Sequence, residues 1–462
     1  MEVQIIFKKL IKPCVPTPSH LRNMRLSFMD NRLPPRTVPI IYYYPAHGGN
    51  NHPLDHQTVE QKLKRLEKSL SEILTLYYPL AGRYVKENLS INCNDDGVEY
   101  AQALVNGQLS QILQGQFHEI KELNRFVPHH QEEESATNPL VAFQINIFNC
   151  GGLAIGLRTS HRIVDAFTSA LFTNGWAKAC KEGHINDVIV PNFESGTLFP
   201  PTDTPAVKLP PLSTTTSKVV AKRFVLDANA ISKLKAEVIM SSCGGDHMQK
   251  TSTTEVVIAL IWRAQITAAR ARYGGLLRTS LLSVSLNLRG NKTFKKLPEN
   301  CCGNIYTHGN VRFQADETKM GLNNFVDQVR YAMRNTIAEF GTPKEDRHED
   351  EDGFFSKLIM RSCREVAEEV ARGEGDVHRF GSFRSLPFYE VDFGWGKPAW
   401  VSLAQRPYKG VMLLNTKGGD GIEAWVTMDE EEMDYFQNDP TIIMLLKDGD
   451  HGIHDTVRAD AA

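Results

Sequence analysis

The sequence predicts an α/β protein that is built from two domains. Its length of 462 residues is about three times that of a typical domain of roughly 150 residues. Apolar patterns typical of strands alternate with those typical of helices in both halves of the chain. Between the halves, residues 200–218 hold five prolines and a run of threonines without periodicity, which indicates a linker. We therefore predict one domain over residues 1–199 and a second over residues 219–462.

The N-terminal half contains a predicted helix, a hairpin and a second helix. Apolar residues at three- and four-residue spacing predict the first helix over residues 56–77. Strands are predicted over residues 141–148 and 153–158, joined by a turn that contains two glycines. The segment that begins at Ala166 again has apolar residues at helical spacing. His161 should therefore lie at the junction between a strand and a helix.

The C-terminal half repeats this alternation. Strands are predicted over residues 219–227 and 281–288, and helices over residues 254–269 and 322–340. The charge-dense run over residues 344–352 is interpreted as a solvated loop.

The composition argues against several classes of protein. Lys and Arg number 52 against 54 Asp and Glu, so neither nucleic acid nor an anionic membrane surface is an expected partner. No run approaches the ~18 apolar residues of a membrane-spanning helix, and the first residues lack the pattern of a secretion signal. The eight cysteines have no C-x-x-C spacing, which argues against a disulfide framework and a zinc site. We expect a cytoplasmic protein without a bound metal.

His161 is the strongest candidate for a catalytic residue. Because the chain has 15 histidines, the spacing from His161 to Asp165 is weak evidence by itself. A short turn between a buried strand and a helix, however, can present an imidazole to a cleft and hold it still. The imidazole titrates near neutral pH, so it can take the proton of an alcohol whose oxygen attacks a carbonyl group.

Asp165 admits two interpretations. It could be the partner of His161, or it could be the N-cap of the helix that begins at Ala166. An N-cap carboxylate is directed towards backbone amides or a nearby cation, which is a poor position for orienting an imidazole. The structural interpretation is therefore favoured.

A second unusual run, Asp-Phe-Gly-Trp-Gly, occupies residues 392–396 and is followed by Lys397-Pro398. Its aromatic residues are expected to hold a tight turn by burial, and Asp392 can accept hydrogen bonds from the turn amides. A structural turn is favoured over direct catalysis by Asp392. The sequence has no G-x-S-x-G, G-x-x-x-x-G-K-[ST], H-E-x-x-H or G-x-G-x-x-G motif, which disfavours serine hydrolases, P-loop enzymes, zinc peptidases and Rossmann enzymes.

In this order along the chain, the two runs resemble the signatures His-x-x-x-Asp and Asp-Phe-Gly-Trp-Gly of the plant BAHD acyltransferase family. The combination is highly specific, and the resemblance covers nearly the whole chain. Within the family, it is strongest to alkaloid and alcohol acetyltransferases. Shorter runs that share the likeness occupy residues 11–13, 17–18, 78–83, 93–95, 287–289, 303–304 and 420–425.

The resemblance implies a chloramphenicol acetyltransferase-like fold, in which two similar domains each have a mixed sheet flanked by helices. A channel would run between the domains, with His161 midway along it. Acyl-CoA, the co-substrate, would enter from one side and a small-molecule acceptor from the other, and the acyl group would be transferred directly. The family likeness implies no bound cofactor and a monomeric protein.

The resemblance also assigns roles to individual residues. Asp165 would turn away from the channel to pair with Arg289. Asp392 is grouped with the active-site residues, although its described role is structural, and Gly394, Trp395 and Gly396 would support the site. The positions expected to line the acyl-CoA or substrate path are Thr253, Gly303, Asn304, Ser382 and Phe383.

Two positions depart from the family pattern. Ala166 replaces the glycine of an extended first motif, which is a mild change. Phe383 stands where relatives commonly have Trp, and a phenyl ring lacks the indole N–H that could help to hold a tetrahedral oxyanion. Either another group supplies this hydrogen bond, or the pocket is reshaped for a different acceptor.

The leading hypothesis is an acyl-CoA-dependent O-acyltransferase of specialised metabolism that uses acetyl or another short or aromatic acyl group. N-acylation of an amine is an alternative, because the same base would serve. A catalytically weak binding protein is a second alternative, which Phe383 motivates and the intact His161 opposes. A carrier-dependent condensation domain is disfavoured by the single histidine in the motif.

Overall fold

The computed structural model describes ten segments of the chain. They are residues 1–31, 36–46, 56–115, 120–129, 137–201, 218–241, 251–290, 297–340, 351–404 and 409–447. Most of the predicted linker, at 202–217, and most of the charged run, at 344–350, lie outside the described residues. The division of the chain at residues 200–218 therefore stays a prediction.

The described residues form strands and helices in alternation. The strands are β1 Glu2–Ile11, β2 Asn23–Arg25, β3 Thr37–Tyr44, β4 Arg83–Val85, β5 Ser90–Asn92, β6 Val98–Asn106, β7 Val141–Phe148, β8 Leu153–Ser160, β9 Val219–Leu226, β10 Ser280–Asn287, β11 Tyr306–Phe313, β12 Asp376–Ser382, β13 Trp400–Leu403, β14 Gly410–Asn415 and β15 Ile422–Asp429. The helices are α1 Phe28–Asn31, α2 His56–Leu76, α3 Leu109–Leu113, α4 Ile120–Leu123, α5 Ala166–Glu182, α6 Ser195–Leu198, α7 Ala228–Ser241, α8 Thr253–Arg272, α9 Leu322–Phe340, α10 Glu351–Arg372, α11 Glu430–Gln437 and α12 Pro440–Lys447.

Two mixed sheets organise the molecule, which confirms the predicted fold class. The first has six strands in the order β1-β6-β7-β8-β3-β13, and the second has six in the order β11-β10-β12-β14-β15-β9. A small sheet is formed by β2, β5 and β4. The predicted hairpin is the antiparallel pair of β7 and β8, and all eight residues of β7 are buried. A strand that is buried along its whole length belongs at the centre of a sheet covered on both faces.

The first sheet includes a strand from the C-terminal part of the chain. Strand β13 pairs antiparallel with β3, so that Trp400 lies opposite Tyr43, and their rings stack with centroids 5.0 Å apart. The turn before β13 also packs into the first core, where Phe393 and Trp395 are buried. The sequence on the far side of the predicted linker thus contributes to both sheets.

The second sheet has one apolar face and one polar face near its centre. The helix-side core contains Leu282, Val284 and Leu286 of β10, packed with residues of α8 and α9. Because side chains alternate along a strand, Ser283, Ser285 and Asn287 point to the opposite face, where they line a cavity.

A third apolar cluster joins distant parts of the chain beside this cavity, and it includes Phe28, Phe199, Leu288 and Ile359. Within the described segments, no helix combines the length and the apolar character that crossing a bilayer requires.

Candidate active site

His161 lies between the end of β8 at Ser160 and the start of α5 at Ala166, so the predicted junction is confirmed. Its backbone N–H donates to the carbonyl oxygen of Arg36 at 2.7 Å, which holds the turn against the residue before β3. The side chain lines a cavity of about 250 Å³ between the two sheets. Residues of β10, β11, β12, β14 and α10 complete the lining of this cavity.

Asn304 determines which nitrogen of His161 carries the proton. The Asn304 Oδ1 atom lies 2.7 Å from Nδ1 of the imidazole. The Asn304 amide nitrogen lies 2.8 Å from Asp30 Oδ1 and 2.7 Å from the His161 carbonyl oxygen. Both of these atoms are acceptors, so the NH₂ group must face them and Oδ1 must face the ring. Nδ1 therefore donates its proton to Asn304, and Nε2 keeps a lone pair.

Asp30 holds the side chain of Asn304 in this orientation. Its Oδ1 accepts hydrogen bonds from the backbone and the side-chain nitrogens of Asn304, both at 2.8 Å. Its Oδ2 accepts from the backbone N–H and the hydroxyl of Ser27 at 3.0 and 2.6 Å. Burial raises the pKa of Asp30, and these four hydrogen bonds oppose that shift because they favour the carboxylate.

Sequence analysis did not identify Asp30 as a site residue, because its partner Asn304 lies 274 positions away along the chain. The local Ser27-x-x-Asp30 spacing, in which each residue bonds to the other, is the one signal that could have drawn attention to it.

The surroundings of His161 favour a neutral imidazole. Burial lowers its pKa below the ordinary value of 6.5, while the charge of Asp165 and the hydrogen bond with Asn304 act in the opposite direction. A neutral ring with a protonated Nδ1 is the form that can accept a proton at Nε2. Among the described residues, Nε2 has no hydrogen-bond partner.

Asp165 is the N-cap of α5, and its Oδ1 accepts from the backbone N–H of Thr168 at 2.8 Å. Its Oδ2 accepts from Arg289 Nη1 at 2.7 Å and from the backbone N–H of Ile305 at 3.2 Å. No hydrogen bond joins Asp165 to the described ring atoms of His161. The carboxylate therefore influences the imidazole through its charge alone.

Arg289 links the helix N-terminus to the loop that carries Asn304. It donates to the carbonyl oxygens of Cys301 and Gly303 at 2.6 and 2.8 Å. Gly303 has a φ of +125°, and a Cβ atom there would lie 2.9 Å from the hydroxyl of Ser195, so a glycine is required. Gly303 and Asn304 thus lie behind His161, and their position supports the base more directly than it supports a CoA contact.

Asp392 belongs to a turn outside the cavity. Its Oδ1 accepts from the backbone N–H groups of Gly394 and Gly396, both at 2.9 Å. Its Oδ2 accepts from Lys181 Nζ at 2.7 Å. The hydrogen bonds and the charge of Lys181 outweigh the effect of partial burial and lower the pKa of Asp392. Asp392 is not among the described residues that line the cavity, so these contacts favour the structural interpretation, and its grouping with His161 as a catalytic residue stays a prediction.

Close packing explains why Gly394 and Trp395 occupy this turn. Gly394 has a φ of +101°, and a Cβ atom there would lie 2.7 Å from Arg65 Nη2. The Trp395 ring stacks on that of Phe393 and receives the cationic groups of Lys62 and Arg65 on its surface.

The remaining predicted positions separate into two groups. Ser382 and Phe383 line the cavity, and the Phe383 ring packs edge-on against Phe388. Thr253 is not among the described residues of the cavity wall, and its hydroxyl accepts from Lys235 Nζ at 2.8 Å. Thr253 is the first residue of α8, and its expected place beside the acyl-CoA or substrate path stays a prediction.

One cluster in the described segments has ligand atoms close enough for a metal ion, and it consists of Glu182, His184 and Asp187. All three residues are exposed, and none of them lines the cavity.

The sequence matches the Transferase family over residues 1–442. The fold, the cavity-lining histidine at the junction and this match define an acyl-CoA-dependent acyltransferase. The chain belongs to the plant BAHD branch of this transferase family.

Characterised relatives match almost the full chain. Stemmadenine O-acetyltransferase from Catharanthus roseus is 34% identical and covers 95% of this chain and 97% of its own. Acetyl-CoA-benzylalcohol acetyltransferase from Clarkia breweri is also 34% identical, and it covers 95% of this chain and 98% of its own. The crystal structure of vinorine synthase superposes with a TM-score of 0.75 at 30% identity, covering 96% of this chain and 98% of that one.

Proposed function

We propose that this enzyme is an O-acyltransferase that moves an acetyl or another short or aromatic acyl group from CoA to the hydroxyl of a plant specialised metabolite, such as an alkaloid or an alcohol. The observation that carries the proposal is the fixed tautomer of His161, whose ring lines the cavity while Asn304 occupies Nδ1. Two of the relatives above are named as acetyltransferases of stemmadenine and of benzyl alcohol. These names support an acetyl donor and a hydroxyl acceptor.

The reaction follows from the position of the proton on His161. Nε2 takes the proton of the acceptor hydroxyl while the oxygen attacks the thioester carbonyl, which forms the new C–O bond and an oxyanion. The oxyanion collapses, the C–S bond breaks and the CoA thiolate leaves with the electron pair. The imidazolium returns its proton to the thiolate, so His161 ends as it began. No acyl-enzyme intermediate is required, because both reactants meet in one cavity.

The hydrogen bond to Asn304 supports the charged intermediate. When Nε2 is protonated, the imidazolium donates from Nδ1 to Asn304 Oδ1, and the carboxylate of Asp165 stabilises the positive charge through space. Asn304 and Asp165 therefore raise the basicity of the His161 imidazole, which burial alone would reduce.

The experiment measures thiol release by the purified protein with acetyl-CoA and a panel of alcohols and amines. We expect release with hydroxyl acceptors, and we expect His161→Ala to lower the rate by roughly 10²-fold or more, as for loss of a general base. His308→Ala is the matched control, because it removes a second histidine of the same cavity. An unchanged rate in His161→Ala would contradict the mechanism, and release with amines alone would contradict O-acylation.

A further inference from the structure

The cavity contains a guanidinium group that the proposed reaction does not use. Arg379 lies on β12, next to Phe380, which packs into the helix-side core. Alternation along the strand therefore directs Arg379 to the opposite face, where it lines the same cavity as His161. Among the described residues, no hydrogen bond or ion pair engages the Arg379 side chain, and no carboxylate acts on its pKa.

The other charged groups of the cavity do not neutralise Arg379. Arg36 and Lys409 add two further cations to the described lining, and Asp165 is its one carboxylate. Asp165 is already bonded to Arg289, and Lys409 is bonded to Asp429. Burial and the charge of Arg36 lower the pKa of Arg379 to about 10, so the group is still charged near neutral pH. On the second-sheet face of the cavity, the described residues therefore provide no anionic partner for Arg379.

A largely buried cation without an anionic partner is unfavourable, and a bound anion relieves that cost. The planar guanidinium matches a carboxylate through two parallel hydrogen bonds. We propose that Arg379 binds a carboxylate on one of the two reactants, so that the enzyme prefers a carboxylate-bearing substrate to its neutral analogue. This inference rests on the proposed acyl transfer, because the cavity that Arg379 lines is the one that would hold the reactants.

The carboxylate has two possible sources, the acyl group or the acceptor. A dicarboxylic acyl-CoA such as malonyl-CoA would present it from the donor, and a hydroxy acid would present it from the acceptor. The phosphates of CoA are shared by every acyl-CoA, so a contact between them and Arg379 would affect charged and neutral acyl groups alike.

The test compares two pairs of substrates. The donor pair is malonyl-CoA and acetyl-CoA with benzyl alcohol, and the acceptor pair is 4-(hydroxymethyl)benzoate and benzyl alcohol with acetyl-CoA. For each pair, the readout is the ratio of kcat/KM for the anionic member to that for the neutral member. In Arg379→Gln, we expect the ratio of one pair to fall by about tenfold or more, as for loss of a charge-assisted contact. The pair that responds identifies the source of the carboxylate.

Two further variants make the comparison specific. Arg379→Lys keeps the charge but loses the paired geometry, so its ratio should lie between those of the wild type and Arg379→Gln. Lys409→Gln removes one positive charge from the same cavity and leaves Arg379 in place, so its ratio should stay within about threefold of the wild type. Thermal denaturation of each variant checks that it is folded.

The proposal would be overturned if Arg379→Gln left both ratios unchanged, including the case in which kcat/KM fell equally for the anionic and the neutral substrate. It would also be overturned if Lys409→Gln lowered a ratio as much as Arg379→Gln does. If no pair releases thiol, the panel of acceptors described above decides the proposed function separately. The affinities for the two donors and the two acceptors, measured by titration calorimetry, then give the same ratios without turnover. Ratios that do not respond to Arg379→Gln in that measurement would sink the carboxylate contact as well.

Discussion

The chemistry of His161 depends on which ring nitrogen carries the proton and on how readily the other nitrogen accepts one. Asn304 settles the first point, because Asp30 and the His161 carbonyl oxygen orient its amide. Burial settles the second, because it holds the pKa of the imidazole below 6.5 against the charge of Asp165. In the proposed reaction, His161 thus acts as a base with the help of three neighbours, Asn304, Asp30 and Asp165, of which only Asp165 belongs to its own motif.

The first residue-scale prediction concerns the pH profile. A general base works when it is unprotonated, so a lowered pKa keeps His161 active at a more acidic pH than an ordinary histidine would allow. We expect kcat/KM to be flat near neutral pH and to fall as the pH drops through a midpoint below 6.5. The pH profile of kcat/KM reports the pKa values of groups in the free enzyme, which is the state to which the shift of His161 applies. An acidic midpoint above the ordinary histidine value would contradict the assignment.

The second residue-scale prediction concerns Asn304 as a positioning residue. Asn304→Leu keeps a similar shape but removes the acceptor for Nδ1–H, so the ring loses its fixed tautomer and orientation. We expect kcat to fall by about tenfold or more, with a smaller change in the KM for acyl-CoA. The acidic limb of the profile should also move to lower pH, because the hydrogen bond that raises the pKa of His161 is gone. A variant with reduced stability but an unmoved pH profile would show a merely structural role.

At the scale of elements, the junction of β8 with α5 is secured by one ion pair. The Arg289 side chain is only 2% exposed, and its Nη1 atom lies 2.7 Å from Asp165 Oδ2. The same arginine fixes the loop before Asn304 through two carbonyl oxygens. The N-cap of the helix and the support of the base are therefore one connected structure.

The corresponding prediction is that Asp165→Asn damages the fold more than the chemistry. It leaves the buried Arg289 guanidinium without its carboxylate, which costs about 3–5 kcal/mol in the free energy of unfolding. Chemical denaturation measures this loss. The double variant Asp165→Asn/Arg289→Met removes both charges and should recover part of it. Normal stability in Asp165→Asn, together with a shifted pH profile, would instead indicate a direct catalytic partnership with His161.

Helices and their caps could be predicted from the sequence where the pattern that encodes them lies within one segment of the chain. The helix predicted over residues 56–77 is observed at His56–Leu76, and the N-cap role of Asp165 ahead of Ala166 is confirmed. The contact between Asp30 and Asn304 was not predictable, because no local pattern encodes a pairing across the whole fold.

At the scale of the whole molecule, the two sheets are joined by chain that crosses between them. Residues 388–404 follow β12 of the second sheet but pack into the core of the first, where β13 completes the edge. Apolar periodicity predicts strands but does not say which sheet a strand joins. The turn at Asp392 directs this crossing, since it sets the path of the chain into β13.

The last prediction follows from that position of Asp392. Asp392→Ala removes the acceptor of two turn amides and one lysine, so we expect the free energy of unfolding to fall by about 1–3 kcal/mol. Lys181→Met is the matched control. Its side chain is 54% exposed, so loss of that ion pair should lower the free energy of unfolding less than Asp392→Ala does, because solvent screens exposed ion pairs. Both variants should keep the acidic limb of the wild-type pH profile, because neither residue lines the cavity. Lost activity in Asp392→Ala at an unchanged denaturation midpoint would instead place Asp392 in the reaction.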